Sequence, residues 1–173
     1  IGYLLHKNIK ALFSPGVVII GLVIGGIFML IAETISKRPV VNNVDKISVK
    51  QAFGIGLFQI LALWPGFSRS GSTISGGLIL GISRGAAAEF SFIIAVPLML
   101  VACLYDLLKV WDKLNVADIY MFAIGFLVAF VVAYFSVVWF IRFLNKSTLA
   151  SFAYYRFILA AFSYYYFFGI HLF

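Results

Sequence analysis

The segment PGFSRSGST, at positions 65–73, combines the residue types that bind phosphate groups. One arginine, Arg69, stands between Gly66 and Gly71, and the segment also carries four hydroxyl side chains, Ser68, Ser70, Ser72 and Thr73. Arginine presents a planar fork of donors that matches phosphate oxygens, and glycine lets the backbone approach a ligand closely. A helix that begins here would add free N–H groups that favour an anion. The segment therefore predicts a phosphate-binding site without a Walker-type lysine.

Two other roles stay open for this segment. Arg69 could be structural and tie its segment to a carboxylate or to backbone carbonyls. An arginine at the centre of a membrane helix costs about 2.5–3.5 kcal/mol to insert, however, and intramembrane charges tend to be functional. A serine nucleophile is less favoured, because no histidine or carboxylate stands nearby in the sequence as its base.

The composition places this segment in a membrane protein. Of the 173 residues, 64% are hydrophobic and only 11% are charged, whereas a soluble domain carries about 25% charged residues. So little polar surface excludes a soluble globular fold and a disordered chain. The net charge of +7 comes mostly from basic residues in short loops, which is typical of membrane orientation rather than of nucleic-acid binding.

Four apolar runs are long enough to span a membrane as helices, which takes about 20 residues. They cover residues 15–36, 86–108, 119–144 and 151–170. Residues 51–82 differ, because two short apolar arms flank the Pro/Gly/Ser-rich segment, which predicts a re-entrant hairpin. Non-helical backbone at membrane depth survives only inside protein or beside a watery cavity, so the tip should line a cavity. The predicted fold is an all-α polytopic membrane protein with a re-entrant helical hairpin.

Basic residues favour one orientation of this fold. If the hairpin returns to its own side, one face carries Lys37, Arg38, Lys46, Lys50, Arg84, Arg142 and Lys146. The opposite face carries Lys7, Lys10, Lys109 and Lys113. The positive-inside rule places the first set in the cytoplasm.

Five further polar residues are expected to have structural or binding roles. Arg84 and Glu89 are expected to pair and lock the base of the hairpin, and Glu33 is expected to form a surface ion pair. Arg156 would snorkel to the cytoplasmic headgroups or make a second phosphate contact. Gln59 would line the cavity or form a hydrogen bond to a neighbouring helix.

A long stretch of the chain resembles a known family. The stretch LALWPGFSRSGSTISGGLILGISRGAAAEFSFIIAVPLM contains a PGxSRSG core, a following SR pair and an AEFSF run. These features resemble the undecaprenyl-diphosphate phosphatase family, also known as the bacitracin-resistance family, and the likeness covers nearly the whole chain.

The resemblance implies a membrane hydrolase that converts undecaprenyl diphosphate to undecaprenyl phosphate and inorganic phosphate. This reaction recycles the lipid carrier of bacterial cell-wall (peptidoglycan) synthesis. The resemblance further implies the bacterial cytoplasmic (inner) membrane, a site toward its outer face, and a divalent cation such as magnesium or calcium. The expected partners are the polyprenyl diphosphate and membrane lipids, without nucleic acid, and a homodimer is left open. A lipid-phosphate transporter or flippase is the alternative, and a non-catalytic membrane subunit is the third interpretation.

The resemblance also implies an inverted repeat in which each half holds one hairpin and three spans. Residues 1–173 are then expected to be a single membrane domain, a fragment that lacks the N-terminal repeat and is inactive alone. The metal ligands and the base or nucleophile would belong to that repeat, so no metal ligand is expected in this chain. By the same resemblance, Arg69 and Ser68 are expected to be catalytic, and Ser70, Gly71 and Thr73 are expected to bind phosphate. Arg84, Glu89 and Arg156 are expected to support the site.

Overall fold

A computed structural model describes residues 13–36, 39–111 and 116–169 of the chain. They form six α-helices: α1 (Pro15–Ile35), α2 (Val49–Gln59), α3 (Arg69–Ile79), α4 (Arg84–Val110), α5 (Val116–Lys146) and α6 (Ala150–Tyr164). Short 3-10 helices cover Val44–Lys46 and Ile60–Leu63, and a π-helical turn, Tyr165–Gly169, continues α6. Among the described residues, β-type pairing is limited to one isolated bridge, between Val41 and Ile82. The predicted all-α fold is therefore confirmed.

Three helices are long and apolar enough to cross a membrane. They are α1, with 21 residues, α4, with 27 residues, and the 28-residue part Ile119–Lys146 of α5. At 1.5 Å per residue each exceeds a bilayer core of about 30 Å. The prediction of a polytopic membrane protein is therefore confirmed. The fourth predicted span, 151–170, corresponds to α6 and its π-helical turn, and position 170 lies outside the described residues.

The hairpin consists of α2, its following 3-10 helix and α3, which are too short to span. The eleven residues of α3 measure about 16 Å. The two arms are antiparallel, because the Gln51 side chain at the start of α2 donates to the carbonyl of Leu80 after α3, at 3.1 Å. The hairpin tip lies beside the start of α1, where the Trp64 indole N–H donates to the Val17 carbonyl at 3.2 Å. Its re-entrant placement in a bilayer stays a prediction.

Helix α3 lies at the centre of the packing, whereas α5 lies at its edge. Residues 71–78 of α3 are all buried, and α3 packs against α1, α2 and α4. Gly76 and Gly77 permit this close packing, since added Cβ atoms would meet the Phe58 ring and the Ala87 Cβ. In contrast, no residue in the most apolar window of α5 is buried. The segment with the candidate chemistry is therefore held by the best-packed helix of the described part.

The base of the hairpin is locked to the far end of α1 by an ion pair. Arg84 Nε donates to Glu33 Oε2 at 3.2 Å, and Arg84 Nη2 also contacts the Glu33 carboxylate. Glu33 Oε2 accepts a further hydrogen bond from the Leu149 N–H at 3.2 Å, which brings in the start of α6. Glu33 therefore forms an ion pair as expected, but only 13% of its side chain is exposed, so the expected position of this pair at the surface was wrong.

The expected Arg84–Glu89 pair was also wrong. These residues are five positions apart in α4, and only residues three or four apart face each other along a helix. Glu89 is exposed, whereas Arg84 reaches across to Glu33.

The structure describes only part of the set of basic residues that was used to orient the chain. The members that lie outside the described residues are Lys7, Lys10, Lys37, Arg38 and Lys113.

Replacing Glu33 with glutamine should destabilise the protein by about 2 kcal/mol, a value between those of exposed and buried ion pairs. The amide keeps the shape but removes the charge that Arg84 and the Leu149 N–H share. Unfolding in an SDS titration, followed by tryptophan fluorescence, measures the change. Glu89→Gln is the matched control and should unfold like the parent protein. Equal stability of the two variants would contradict the proposed lock.

Candidate phosphate-binding site

The hairpin tip is a tight turn that only glycine can make at one position. Gly66 has φ +86°, and an added Cβ would overlap the Val18 carbonyl of α1. The Phe67 N–H donates to the Trp64 carbonyl at 3.1 Å and closes the turn. The glycine of the motif is thus explained by backbone geometry, because left-handed φ favours glycine and the close approach to the Val18 carbonyl leaves no room for a Cβ.

Ser68 ends the turn and begins α3. Its hydroxyl oxygen accepts a hydrogen bond from the Gly71 N–H at 3.2 Å, the arrangement of a helix N-cap. Its φ of +78° is unusual for a residue with a side chain and costs of the order of 1–3 kcal/mol. Such strain clusters at functional sites. The helix geometry leaves the first N–H groups of α3, including that of Ser70, without partners inside the helix.

Arg69 lies in a pocket of 330 Å³ between the hairpin and α4. Gln59, at the end of α2, and Leu98 of α4 line the same pocket. The Arg69 Nη1 atom and the Gln59 Oε1 atom are both buried, and neither has a hydrogen-bond partner within the described ranges. A buried donor and a buried acceptor without partners are costly, so a polar ligand is expected between them.

The hydroxyl residues beside Arg69 face a second pocket. Ser68, Ser70 and Gly71 line a pocket of 270 Å³, together with Arg156 and Tyr155 of α6. The predicted site residues are therefore distributed over two sides of the first turn of α3. Arg69 lies on one side, and the serine hydroxyls lie on the other.

Thr73 connects α3 to α4. Its hydroxyl lies 2.6 Å from the Ser91 hydroxyl, and it is also 3.1 Å from the Arg69 and Ser70 carbonyl oxygens. The single hydroxyl hydrogen of Thr73 is therefore already donated to an oxygen within the protein. A phosphate contact by Thr73 stays a prediction that would require one of these bonds to break. Ser91 is a partner that the sequence analysis missed, although it belongs to the AEFSF run.

Arg156 ties the tip to α1 and does not snorkel. Its guanidinium donates to the carbonyls of Leu22 at 3.2 Å, of Gly21 at 3.1 Å and of Gly66 at 2.6 Å. Only 6% of the residue is exposed. The expected snorkelling to the headgroups was therefore wrong, since carbonyl oxygens inside the protein replace the water that a free guanidinium would seek.

Gly21→Ala tests this close contact between α1 and the tip. An alanine Cβ at Gly21 would overlap the Pro65 carbonyl and lie 2.9 Å from the Trp64 ring, so overpacking should cost about 2 kcal/mol. Gly125→Ala in α5 is the matched control, because nothing lies within 4 Å of its added Cβ. The fraction of protein that stays monodisperse in detergent after heating measures the difference. A Gly21→Ala protein as heat-resistant as Gly125→Ala would contradict the contact.

The described residues do not by themselves fit a metal ion. Within residues 13–36, 39–111 and 116–169, no cluster of three or more His, Cys, Asp or Glu side chains could hold a metal. Magnesium and calcium prefer several oxygen ligands, and the carboxylate of Glu33 already pairs with Arg84. Both histidines, His6 and His171, lie outside the described ranges.

Comparison with known proteins gives a family match for this chain. The family model described as bacitracin resistance protein BacA matches residues 1–162. The match covers the hairpin, both pockets and all but the last residues of the 173. It confirms the resemblance that the motif around Arg69 indicated.

Proposed function

The chain belongs to the bacitracin resistance protein BacA family, and from this premise we propose that its hairpin binds the terminal phosphate of undecaprenyl diphosphate during hydrolysis. Membership of the family implies undecaprenyl-pyrophosphate phosphatase activity in bacitracin resistance. The proposal adds the place of binding, the product undecaprenyl phosphate, and a role in recycling the lipid carrier for cell-wall synthesis.

The unpartnered Nη1 atom of Arg69 carries the proposal. A guanidinium is always charged, and burying one of its donors without an acceptor is unfavourable. A phosphate oxygen in the 330 Å³ pocket would satisfy both the charge and the hydrogen bond. Arg69 is the first residue of α3, and the positive end of the helix dipole there also favours a negative charge nearby.

The residues of this chain would position the terminal phosphate and stabilise the negative charge on its oxygens. In hydrolysis, water attacks the terminal phosphorus, the bond to the bridging oxygen breaks, and lipid monophosphate leaves with that oxygen. Arg69 would neutralise the oxygens of the transferred group as their charge spreads in the transition state. Ser68 caps α3, the helix whose first residue is Arg69. Ser70 and Gly71 line the second pocket, on the other side of the turn, so phosphate binding by them stays a separate proposal.

The depth of the tip along α1 supports a site toward the outer face of the bacterial inner membrane. The base of the hairpin meets α1 at Glu33, and the tip meets it at Gly21, where Pro65 and Trp64 lie closest. These twelve residues of helix correspond to about 18 Å. If the basic loops that follow α1 and α5 are cytoplasmic, the tip lies in the outer half of the bilayer.

The substrate tail would lie among the lipid-facing helices. An apolar pocket of 570 Å³ between α4 and α5 is lined by residues such as Phe92, Met99 and Tyr134. Leu98, the neighbour of Met99 in α4, lines the Arg69 pocket. One helix therefore borders both pockets, which supports a substrate that enters sideways from the bilayer.

A divalent cation and a homodimer also stay proposals. The roles given above to Arg69 and to the pockets do not depend on either.

The alternative is a lipid-phosphate transporter or flippase that uses the same pocket for binding alone. Phosphate release from a long-chain polyprenyl diphosphate distinguishes the two. The protein expressed from its complete reading frame is assayed in detergent with magnesium and with calcium, and lipid movement is measured in vesicles. Release of inorganic phosphate supports the phosphatase. Lipid movement without release by the folded protein would instead support the transporter.

A further inference from the structure

Gln59 carries an acceptor that the proposed hydrolysis does not use. Its carboxamide oxygen is buried at the end of α2, and it has no hydrogen-bond partner in the described part of the chain. It lines the same pocket as the unpartnered Nη1 donor of Arg69. The pocket thus presents one unused donor and one unused acceptor to whatever occupies it.

The pocket has space for a ligand beside this pair. Gly56 lies one helical turn before Gln59 and lines the same pocket, and no atom lies within 4 Å of the position that its Cβ would take. Packing alone therefore does not explain an amide at position 59, because an apolar side chain there would leave no orphaned acceptor.

A ligand that satisfies both atoms needs a charged oxygen for Arg69 and an O–H group for Gln59. We propose that the Gln59 carboxamide oxygen accepts a hydrogen bond from the protonated oxygen of a terminal phosphate held by Arg69, so that Gln59 selects terminal phosphates over phosphodiesters. This inference rests on the proposed function, since it assumes that Arg69 binds phosphate. A terminal phosphate carries a proton on one oxygen near its second pKa, which is about 6.

Selection against phosphodiesters has a clear physical basis in a membrane. Phosphodiester headgroups surround the protein, and both of their free oxygens are unprotonated acceptors. A phosphodiester could satisfy Arg69, but it would leave the Gln59 oxygen buried, without a donor and facing another acceptor. Sites built to hydrogen-bond a ligand O–H reject analogues that lack it. The same Arg69 without Gln59 would bind both classes of headgroup by charge.

The test compares two lipids that differ in one ester bond. Dodecyl phosphate and dodecyl methyl phosphate are titrated by calorimetry at pH 6 into the protein expressed from its complete reading frame. The parent protein should bind dodecyl phosphate about ten- to a hundredfold more tightly than the methyl ester. In Gln59→Met, which keeps the side-chain length but removes the acceptor, most of this ratio should disappear. Gln59→Ala repeats the test if the first variant fails to fold.

The outcomes separate this inference from the proposed function. An unchanged binding ratio in Gln59→Met would overturn the selection role. If phosphate release were also slower in that variant, Gln59 would instead be assigned to the attacking water. Absence of phosphate release by the parent protein would overturn the phosphatase, while the binding ratio would still report on Gln59. Phosphate release by the parent protein, with binding of both lipids lost in Arg69→Ala and the ratio lost in Gln59→Met, supports both proposals.

Discussion

Arg69→Ala is expected to lower phosphate release from a polyprenyl diphosphate by about a thousandfold, while the protein stays folded. The reason is that Nη1 of Arg69 makes no hydrogen bond within the described structure, so its removal costs the fold little. The substitution removes the only positively charged side chain among the described residues that line the 330 Å³ pocket. Arg69→Lys should recover part of the activity, because an ammonium keeps the charge but not the planar fork.

The measurement is initial-rate phosphate release at saturating lipid, with gel filtration of each variant to show that it is folded. Arg142→Ala is the matched control, since Arg142 is an exposed arginine near the end of α5. It should release phosphate at the parent rate. Parent-like release by a folded Arg69→Ala protein would remove Arg69 from the reaction.

Arg156→Ala should instead destabilise the whole protein, by about 3 kcal/mol or more. The buried guanidinium donates to three carbonyl oxygens, those of Gly21 and Leu22 in α1 and that of Gly66 in the tip. Without it these acceptors lose their bonds, and the contact between α6, α1 and the tip is left with a cavity. Arg156→Lys should be intermediate, because one ammonium cannot reproduce the guanidinium geometry.

Stability and activity measured together separate this role from that of Arg69. Arg156→Ala should unfold at lower SDS than the parent protein, and the part that stays folded should retain some phosphate release. Tyr154→Phe, an exposed neighbour in α6, should leave both quantities unchanged. A stable Arg156→Ala protein without activity would contradict the structural role and would favour a direct phosphate contact.

Much of the architecture could be predicted because its signals are local. Span length, the interruption at Pro65 and Gly66, and the polarity of the following segment are all read within about 30 residues. They predicted the spanning helices α1, α4 and α5, and two short helical arms around the tip. The arginine at position 69 was predicted to matter for the same reason, since its charge stands in an otherwise apolar stretch.

The partners of the polar side chains could not be predicted, because they depend on contacts between distant helices. Arg84 reaches Glu33, and Arg156 reaches Gly66; each pair is separated by at least 50 residues. Sequence spacing suggested Glu89 as the partner of Arg84, but the helical repeat puts those two side chains on different faces. Likewise, the helical turn that begins α3 separates Arg69 from the serine hydroxyls, which the linear motif suggested would act together.

The most direct test of the central proposal is to locate the phosphate itself. A structure of the protein expressed from its complete reading frame should be determined with a lipid methylenediphosphonate, whose bridging carbon cannot be hydrolysed. An oxygen of the terminal phosphonate should lie within hydrogen-bond distance of Arg69 Nη1, beside the start of α3. A well-ordered diphosphonate bound elsewhere, with the pocket of Arg69 empty, would contradict the proposal.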